Sequence, residues 1–144
     1  MKVKIKLLHP LAEVPKKAYE HDAGFDLKAV SVSRDDYGNA VYGTGVSVRI
    51  PNGYVGLLFQ RSSVAKKSQI LSNAVGVVDA GYLGEITFKF RHLVDVRKSA
   101  ARPYEIGERI GQLIIMPIPS IDFVEVNDLG DSERGTGNYG SSGK

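Results

Sequence analysis

The chain has 144 residues, no cysteine, 42% hydrophobic and 24% charged residues, and a net charge of +3. This length suits one domain, and the composition is that of a folded protein without disulfides or thiolate metal sites. No apolar run approaches the ~20 residues that a membrane span needs, and the N-terminal MKVKIKLLHP lacks the continuous apolar core of a signal peptide. We therefore expect a cytoplasmic protein with no membrane partner. The location would be the host cytoplasm for a viral source, with the nucleus as an alternative in a eukaryote.

The basic residues do not form a nucleic-acid-binding pattern. They lie in short scattered groups, none in a long helix or among interleaved aromatics: Lys2/Lys4/Lys6, Lys16/Lys17, Lys66/Lys67 and Arg97/Lys98. Such groups are typical of a solvated surface. A small anionic ligand is favoured over nucleic acid as the partner.

Taken in chain order, the pattern predicts many short strands. Apolar residues alternate with polar ones at residues 2–7, 25–29, 46–50 and 85–90, which is the period of a half-buried strand. The runs at 54–59 and 110–116 are mostly apolar and predict strands buried on both faces, and the run at 75–78 predicts a buried strand. Turn residues separate the strands at 36–39, 51–53 and 105–107.

Helix signals are scarce. One short helix is predicted around residues 64–70, with Ser62 and Ser63 as candidate N-cap residues. The class is therefore all-β, a distorted β-barrel or jelly-roll with one short helix.

The C-terminal segment RGTGNYGSSGK differs from the rest of the chain. It is rich in glycine, and Tyr139 is its one large apolar side chain. We expect residues 1–133 to form the β-barrel domain and residues 134–144 to form a flexible arm. Glycine amides, Arg134 and a ring suit phosphate oxygens and a flat base. The ending GSSGK is not a Walker A loop, because the glycine spacing is wrong and no Ser or Thr follows Lys144.

Asp79 raises a question of its own, because a carboxylate directly follows the apolar run at 75–78 and precedes a Gly-Tyr turn. Aspartate commonly caps its own backbone at turns, so a turn former is one interpretation. A catalytic carboxylate is the other.

Five separated motifs favour the catalytic interpretation. They are AGFDL (23–27), QRSSVA (60–65), NAVGVVDAGYLGEI (73–86), GERIGQL (107–113) and RGTGNYGSSG (134–143). In this order and spacing, the chain resembles the homotrimeric dUTP pyrophosphatases (dUTPases). The resemblance implies hydrolysis of dUTP to dUMP and pyrophosphate by water attack at the α-phosphorus. Such an enzyme limits uracil incorporation into DNA and supplies dUMP for dTMP synthesis.

The resemblance also implies roles for individual residues. Asp79 matches the catalytic base, and Tyr82 matches the tyrosine that packs on deoxyribose and excludes a 2′-hydroxyl. Asn73 and Gly76 would lie at the uracil end of the pocket. The substrate phosphates would be bound by Arg61, Ser62, Ser63, Gln112, Arg134, Gly137, Gly140, Ser141 and Ser142, and Tyr139 would stack on uracil. Glu108 and Arg109 are interpreted as structural, paired at a surface.

Mg²⁺ is the implied cofactor. Asp26 matches an aspartate associated with the water shell of the metal, so its contact would be indirect, through water. The family further implies a homotrimer with shared active sites, in which the arm reaches a neighbouring subunit.

The chain departs from the family pattern at several positions. Gln60 and Ser63 replace the usual proline and glycine, and Asn138 stands where glycine is common. Tyr139 replaces phenylalanine and Ser142 replaces threonine. Asn138 bears on the shape of the closed arm, since asparagine adopts left-handed backbone less freely than glycine.

Three alternatives remain at this point. The related dCTP deaminases share the Arg-Ser-Ser motif, but Lys89 stands where they carry a glutamate that drives deamination. A non-catalytic nucleotide-sensing module on the same fold is the second alternative. The third is a jelly-roll structural subunit, in which Asp79 would have no effect on any activity.

Overall fold

The computed structural model describes residues 1–93 and 102–138, and within these ranges the chain is built from β-strands and one 3₁₀ helix. The elements are β1 (Lys4–Leu7), β2 (Phe25–Lys28), β3 (Ser31–Arg34), β4 (Ala40–Gly43), β5 (Val46–Arg49), β6 (Tyr54–Gln60), a 3₁₀ helix (Ser62–Lys66), β7 (Gln69–Leu71), β8 (Gly76–Val78), β9 (Thr87–His92) and β10 (Arg109–Pro117). The predicted all-β class is confirmed. In these ranges, no helix is long and apolar enough to cross a bilayer.

The described strands form three antiparallel sheets. One sheet pairs β1 with β5, the second has the order β2-β10-β6-β8, and the third has the order β3-β4-β9-β7. The nine-residue β10 lies at the centre of the second sheet, between β2 and β6. This sheet carries most of the predicted site, because β2, β6, β8 and β10 each belong to one of the recognised motifs or lead into one.

The core lies between the sheets and is filled by aromatic and branched side chains. Phe88 and Phe90 of β9 are 1% and 0% exposed, and Tyr42 of β4 packs edge-on against Phe90 with ring centroids 5.8 Å apart. Alternate residues of β9 point outward, as its period-two pattern predicted. β9 therefore buries one row of side chains and offers Thr87, Lys89 and Arg91 to the outside.

A buried polar network ties the core to the segment before β10. The Tyr42 hydroxyl donates to the carbonyl oxygen of Tyr104 at 3.1 Å, and the Tyr104 amide donates to Oε1 of Gln69 at 3.2 Å. Gln69 Nε2 in turn donates to the Tyr42 hydroxyl at 3.4 Å. Because Tyr42, Gln69 and Tyr104 are all buried, each bond satisfies a group that would otherwise lose its water.

The one short helix expected in this region is confirmed, but its type and bounds differ from the prediction. It is a 3₁₀ helix at Ser62–Lys66 rather than a helix over residues 64–70, and Gln69–Leu71 is a strand, because the Gln69 side chain is hydrogen-bonded within the buried network. Arg61, with no side-chain cap bond, occupies the N-cap position expected for Ser62 or Ser63.

The strand expected at 75–78 is only partly buried: Gly76 and Val78 are buried, but Val77 is 63% exposed because β8 is the edge strand of its sheet.

The chain after β10 runs along the outside of the molecule. Ile118 still donates its amide to the Gly53 carbonyl oxygen at 2.8 Å, but every residue from 116 to 136 is exposed. This stretch includes large apolar side chains, among them Phe123 at 97% and Leu129 at 95% exposure. The segment is extended and apolar, yet this single chain does not cover it.

Candidate active site

Asp26 is the centre of a charged cluster at one end of the second sheet. Its Oδ1 accepts a hydrogen bond from Nε of Arg61 at 2.8 Å, and its Oδ2 accepts one from Arg109 Nη1 at 3.0 Å. The Asp26 side chain is 15% exposed and that of Arg61 is 26% exposed. The carboxylate therefore fixes two guanidinium groups whose remaining N–H donors can face an anion.

Gln112 lies beside this cluster because of the strand register. It is opposite Asp26 on β2 and opposite Phe59 on β6. A cavity of about 330 Å³ is lined by Gly24, Asp26, Arg61, Ser62 and Gln112, among others. A Cβ at Gly24 would collide with the Gln112 side chain, so this glycine lets the amide lie across the cavity wall. Three of the predicted phosphate-binding residues thus share one cavity.

Ser63 is placed differently from Ser62. Ser62 lines the cavity, whereas Ser63 is not among its lining residues. Burial raises the pKa of the nearby Tyr104, whose buried hydroxyl has no hydrogen-bond partner among the described residues. The residue that replaces the family glycine therefore lies outside the cavity lining.

Asp79 lies at the other end of the same sheet, directly after β8. Its carbonyl oxygen accepts the Tyr82 amide at 3.0 Å, which closes a tight turn, and its side chain is exposed. The Tyr82 hydroxyl donates to the Glu85 carbonyl oxygen at 2.9 Å, and a Cβ at Gly84 would collide with the Tyr82 ring. Gly84 thus lets the ring lie across the hairpin, three positions from the carboxylate.

The predicted base-binding residues line a second cavity. Asn73 and Gly76 lie with Leu58, Ser72, Thr87 and Lys89 around a space of about 260 Å³. The turn before β8 contains Ala74 at φ +57°, the one non-glycine residue with positive φ in the described part of the chain. Left-handed geometry is costly for alanine. The surrounding strands β7 and β8 therefore hold this turn in an unusual shape.

The Asp26 cluster and Asp79 are far apart within one chain. They lie on the edge strands β2 and β8, three strand spacings apart, or roughly 14 Å. The register also offsets them, because Asp26 aligns with Phe59 whereas Val78 aligns with Gly56. Asp79 therefore aligns near Val55, roughly 13 Å along the sheet, for a total of roughly 19 Å. The structure does not bring the two groups together in a single chain.

The arm is described only in part. Arg134 is exposed and donates through Nε to the Gly137 carbonyl oxygen at 3.2 Å, within a local turn. The predicted contacts of Tyr139, Gly140, Ser141 and Ser142 lie outside the described residues.

Two interpretations of charged residues were wrong. Arg109 does not pair with Glu108: it pairs with Asp26, and Glu108 pairs with Lys67 at 2.9 Å. Lys67 is not a solvated surface group either, since its side chain is 16% exposed and its Nζ lies 4.7 Å above the Tyr104 ring. The sequence did not reveal the pairing of Arg109 with Asp26, because the two residues are 83 positions apart. The available signal was that both residues belong to motifs of the same family.

The described residues contain no cluster of three or more metal-ligating side chains. Asp26 by itself is enough to contact a metal ion through water, because each carboxylate oxygen keeps a second lone pair after accepting its arginine bond. The adjacent guanidinium groups repel a bare cation. The donor set therefore fits Mg²⁺ when anionic phosphates accompany it.

Comparison with known proteins identifies the family of the chain. The dUTPase family model matches residues 11–143. The deoxyuridine 5′-triphosphate nucleotidohydrolase of Rhodococcus erythropolis is 39% identical over 99% of this chain and 87% of its own length. That of Leifsonia xyli is 41% identical over 90% of this chain and 85% of its own.

Solved structures show the same fold. A G164S mutant of the Staphylococcus bacteriophage 80alpha dUTPase with dUpNHpp superposes with a TM-score of 0.84, at 31% identity and 99% coverage of both chains. A D95N mutant of the phage phi11 dUTPase, described with a structural Mg(II) ion, gives a TM-score of 0.75 at 27% identity, over 90% of this chain and 99% of its own. The chain belongs to the dUTPase family.

Proposed function

We propose that the chain is a dUTP diphosphatase that hydrolyses dUTP to dUMP and pyrophosphate, with Asp79 as the general base. The observation that carries the proposal is the placement of Asp79: its backbone is held in the Asp79–Tyr82 turn and its carboxylate is exposed, in a chain that matches the dUTPase family from residue 11 to 143. A positioned carboxylate that takes a proton from water contributes a rate factor of about 10² to 10⁴. At about 1.36 kcal/mol per decade this lowers the barrier by roughly 3 to 5 kcal/mol.

The Asp26 cluster would bind the phosphates. Arg61, oriented by its bond to Asp26, presents its remaining N–H donors to phosphate oxygens, and Gln112 and Ser62 add neutral donors from the cavity wall. These donors neutralise the charge that develops on the leaving pyrophosphate. Ser63 does not line this cavity, and its contact with the phosphates stays a prediction from the motif.

The second cavity would hold the nucleoside. Asn73 and Gly76 would lie beside the uracil base, and the half-exposed Tyr82 ring would pack on the deoxyribose. A ribose 2′-hydroxyl pushed against this ring would lose its hydrogen bonds to water without gaining others, which disfavours UTP.

We further propose a homotrimer with shared active sites. A triphosphate extends only two P–O–P linkages beyond the α-phosphorus, which is much less than the roughly 19 Å estimated between Asp79 and the Asp26 cluster. A second subunit would bring the missing half of each site. The exposed apolar segment after β10 and an apolar groove lined by Val3, Ile5, Phe25, Val48 and Leu113, among others, offer surfaces for this contact. The number three rests on family resemblance.

The arm at 134–144 would close over the nucleotide bound between subunits. Arg134 and Gly137 would contact phosphates, and Tyr139 would stack on the uracil ring while Gly140, Ser141 and Ser142 donate to phosphate oxygens. Residues 1–133 form the β-barrel domain in this proposal. A cytoplasmic location stays a prediction from the sequence.

Mg²⁺ would join the site with the substrate. Asp26 would accept hydrogen bonds from water bound to the ion, and the phosphates would be its main ligands. The ion supplies charge neutralisation of the triphosphate.

The test is pyrophosphate release in the presence of Mg²⁺ from dUTP, UTP, dTTP and dCTP in parallel, with ammonia monitored in the dCTP sample. Release from dUTP alone supports the proposed reaction and its selectivity. Ammonia from dCTP would instead indicate a deaminase, which Lys89 at the position of the deaminase glutamate disfavours. Binding of dUTP without release would indicate a nucleotide-sensing module.

A further inference from the structure

The cavity lined by Asn73 and Gly76 is also lined by a positively charged side chain. Lys89 of β9 lines it together with Ser72 and Thr87. In β9 the residues Phe88 and Phe90 point into the core, so Lys89 lies on the outer face of the strand. No role in binding or catalysis has so far been given to it.

The sheet register fixes where Lys89 starts. Leu71 of β7 pairs with Phe90, and the Ser72 amide donates to the Lys89 carbonyl oxygen at 2.8 Å. Lys89 therefore lies directly opposite Ser72 and one residue from Asn73. Because Lys89 lines the cavity and its stem is flexible, its ammonium can turn toward the cavity.

A chain of polar groups connects the Lys89 ammonium to Ser72, which also lines the cavity. Nζ of Lys89 lies 3.4 Å from Oδ2 of Asp35, Asp35 accepts two bonds from the Asn39 amide side chain, and Asn39 Oδ1 accepts the Ser72 hydroxyl at 3.0 Å. The side-chain hydrogen bond from Asn39 outweighs burial and lowers the pKa of Asp35 below its usual 3.8, so this group is a carboxylate at neutral pH.

The ion pair with Asp35 leaves other hydrogen-bond donors of the Lys89 ammonium available. Asp35 already accepts bonds from Asn39 and from the Tyr37 amide, and the contact with Lys89 is long, with the lysine side chain 53% exposed. Exposed pairs of this kind contribute little to stability. An ammonium has three donors, so Lys89 can keep one toward Asp35 and direct another into the cavity.

Uracil and cytosine differ at the atom that such a donor would reach. Uracil carries an acceptor oxygen at C4, whereas cytosine carries an amino group that only donates. A lysine ammonium only donates. Facing C4, it forms a charge-assisted bond with uracil and meets a second donor in cytosine, which leaves both groups unpaired.

We propose that Lys89 donates a hydrogen bond to the C4 oxygen of the bound base and is a specificity-determining residue that selects uracil over cytosine. This inference rests on the proposed function, because it takes the cavity of Asn73 and Gly76 to be the base site. It adds a side-chain contact to the recognition of the base edge.

The experiment compares Lys89→Met with the unaltered enzyme on two substrates. One is dUTP, and the other is the triphosphate of 2-pyrimidinone 2′-deoxyriboside, which has hydrogen in place of the C4 oxygen and an unprotonated N3. The N3 change affects both enzymes alike, so the comparison is made between the variant-to-unaltered ratios on the two substrates. Methionine keeps an unbranched stem and removes the donor. Arg91→Met is the matched control, since Arg91 is exposed on the same face of β9 but does not line the cavity.

Lys89→Met is expected to lower kcat/KM for dUTP by about 5- to 30-fold, the loss of one partly exposed charged hydrogen bond. The analogue should change by less than about twofold, and the inhibition constant of dCTP should stay equal or fall. Arg91→Met should change neither. An equal loss on both substrates, or none on either, would overturn the proposal.

This result is separable from the fate of the proposed function. If the unaltered enzyme fails to release pyrophosphate from dUTP, the proposed hydrolase function is wrong. The role of Lys89 is then still tested by comparing the calorimetric binding of α,β-imido-dUTP with that of the imido derivative of the 2-pyrimidinone nucleotide. The same 5- to 30-fold selective loss, now in affinity, is expected there. Without it, the assignment of Lys89 fails on its own.

Discussion

Arg61 and Asp26 meet across the width of β10. Asp26 belongs to β2 and Arg61 follows β6, yet Nε of Arg61 lies 2.8 Å from Oδ1 of Asp26, over the strand between them. This contact links the first and second motifs of the chain, and Arg109 of the fourth motif joins it at 3.0 Å. Asp26 thus orients Arg61, the cation proposed to bind the phosphates.

Asp26→Asn should lower kcat/KM for dUTP by about 10-fold, chiefly through KM, because Arg61 loses the charged acceptor that aims its guanidinium. Steady-state kinetics measure this directly. Glu13→Gln is the matched control: it breaks the nearby pair of Glu13 and Lys28, which is 58% and 41% exposed, and should change kcat/KM by less than about twofold. Similar losses in both variants would argue against an orienting role for Asp26.

Asp79→Asn should lower kcat by about 10² to 10⁴ while binding of dUTP is largely kept, since the amide cannot accept the proton of the attacking water. Single-turnover kinetics combined with calorimetric binding of α,β-imido-dUTP separate the two effects. Unchanged turnover would remove Asp79 from the mechanism and return it to the role of a turn former.

A mixture of two inactive variants should regain activity if sites are shared. Asp79→Asn subunits keep Arg61, and Arg61→Ala subunits keep Asp79, so a mixed oligomer can assemble sites with both groups intact. Random mixing in equal amounts gives a probability of one half times one half, or about a quarter of the unaltered activity. Each variant alone should stay inactive. No recovery after co-refolding, with mixed oligomers verified by mass, would contradict shared sites.

Mg²⁺ should bind tightly only together with nucleotide. Asp26 and Asp22 both line the proposed phosphate cavity, but Asp26 is paired with Arg61 and Arg109, and these two cations repel a bare metal ion. Calorimetric titration of Mg²⁺ should therefore show no saturable binding below millimolar concentration without nucleotide, and clear binding with α,β-imido-dUTP. Tight binding to the free protein would indicate a separate metal site.

Acid should destabilise the protein partly through Glu108. Burial opposes ionisation of this group, but the bonds from Lys67 and from the Glu105 amide outweigh burial and lower its pKa below the usual 4.5. A carboxyl whose pKa is lower in the folded state stabilises the fold above its unfolded pKa. This stability is lost as the pH falls from about 4.5 through the lower folded value.

Lys67→Met tests this contribution. It should cost about 0.5 to 2 kcal/mol at pH 7, through the ion pair and the contact with the Tyr104 ring, and the loss of stability between pH 5 and pH 3 should become smaller. Thermal unfolding monitored by circular dichroism measures both. Lys66→Met, at the exposed neighbouring position, should leave the pH profile unchanged. The idea fails if both variants have the same profile.

The fold class followed from period-two alternation, which correctly marked β1, β2, β5 and β9. The strand β7 was missed for a physical reason. It begins with Gln69, a polar residue that is 2% exposed because two tyrosines satisfy its amide. Hydrophobic patterning cannot reveal such a position, so the helix predicted from Val64 was extended into the residues that form β7.

The site was predictable to the level of motifs and not of contacts. Asp79, Arg61 and Gln112 are recognisable because each lies in a dense motif of one known family. The pairing of Asp26 with Arg109 depends on β10 lying beside β2, and the place of Lys89 depends on its register with Ser72. Both are consequences of strand order, which alternation within single strands does not encode.

The exposed apolar segment after β10 also bears on how the protein is made. A chain that completes its barrel alone still presents Ile121, Phe123 and Leu129 to water, a surface prone to aggregation. If neighbouring subunits cover it, the last step of maturation is a collision between molecules, and its rate depends on their concentration. Stability would then increase with protein concentration, and slow expression or extreme dilution would favour loss of the protein before it assembles.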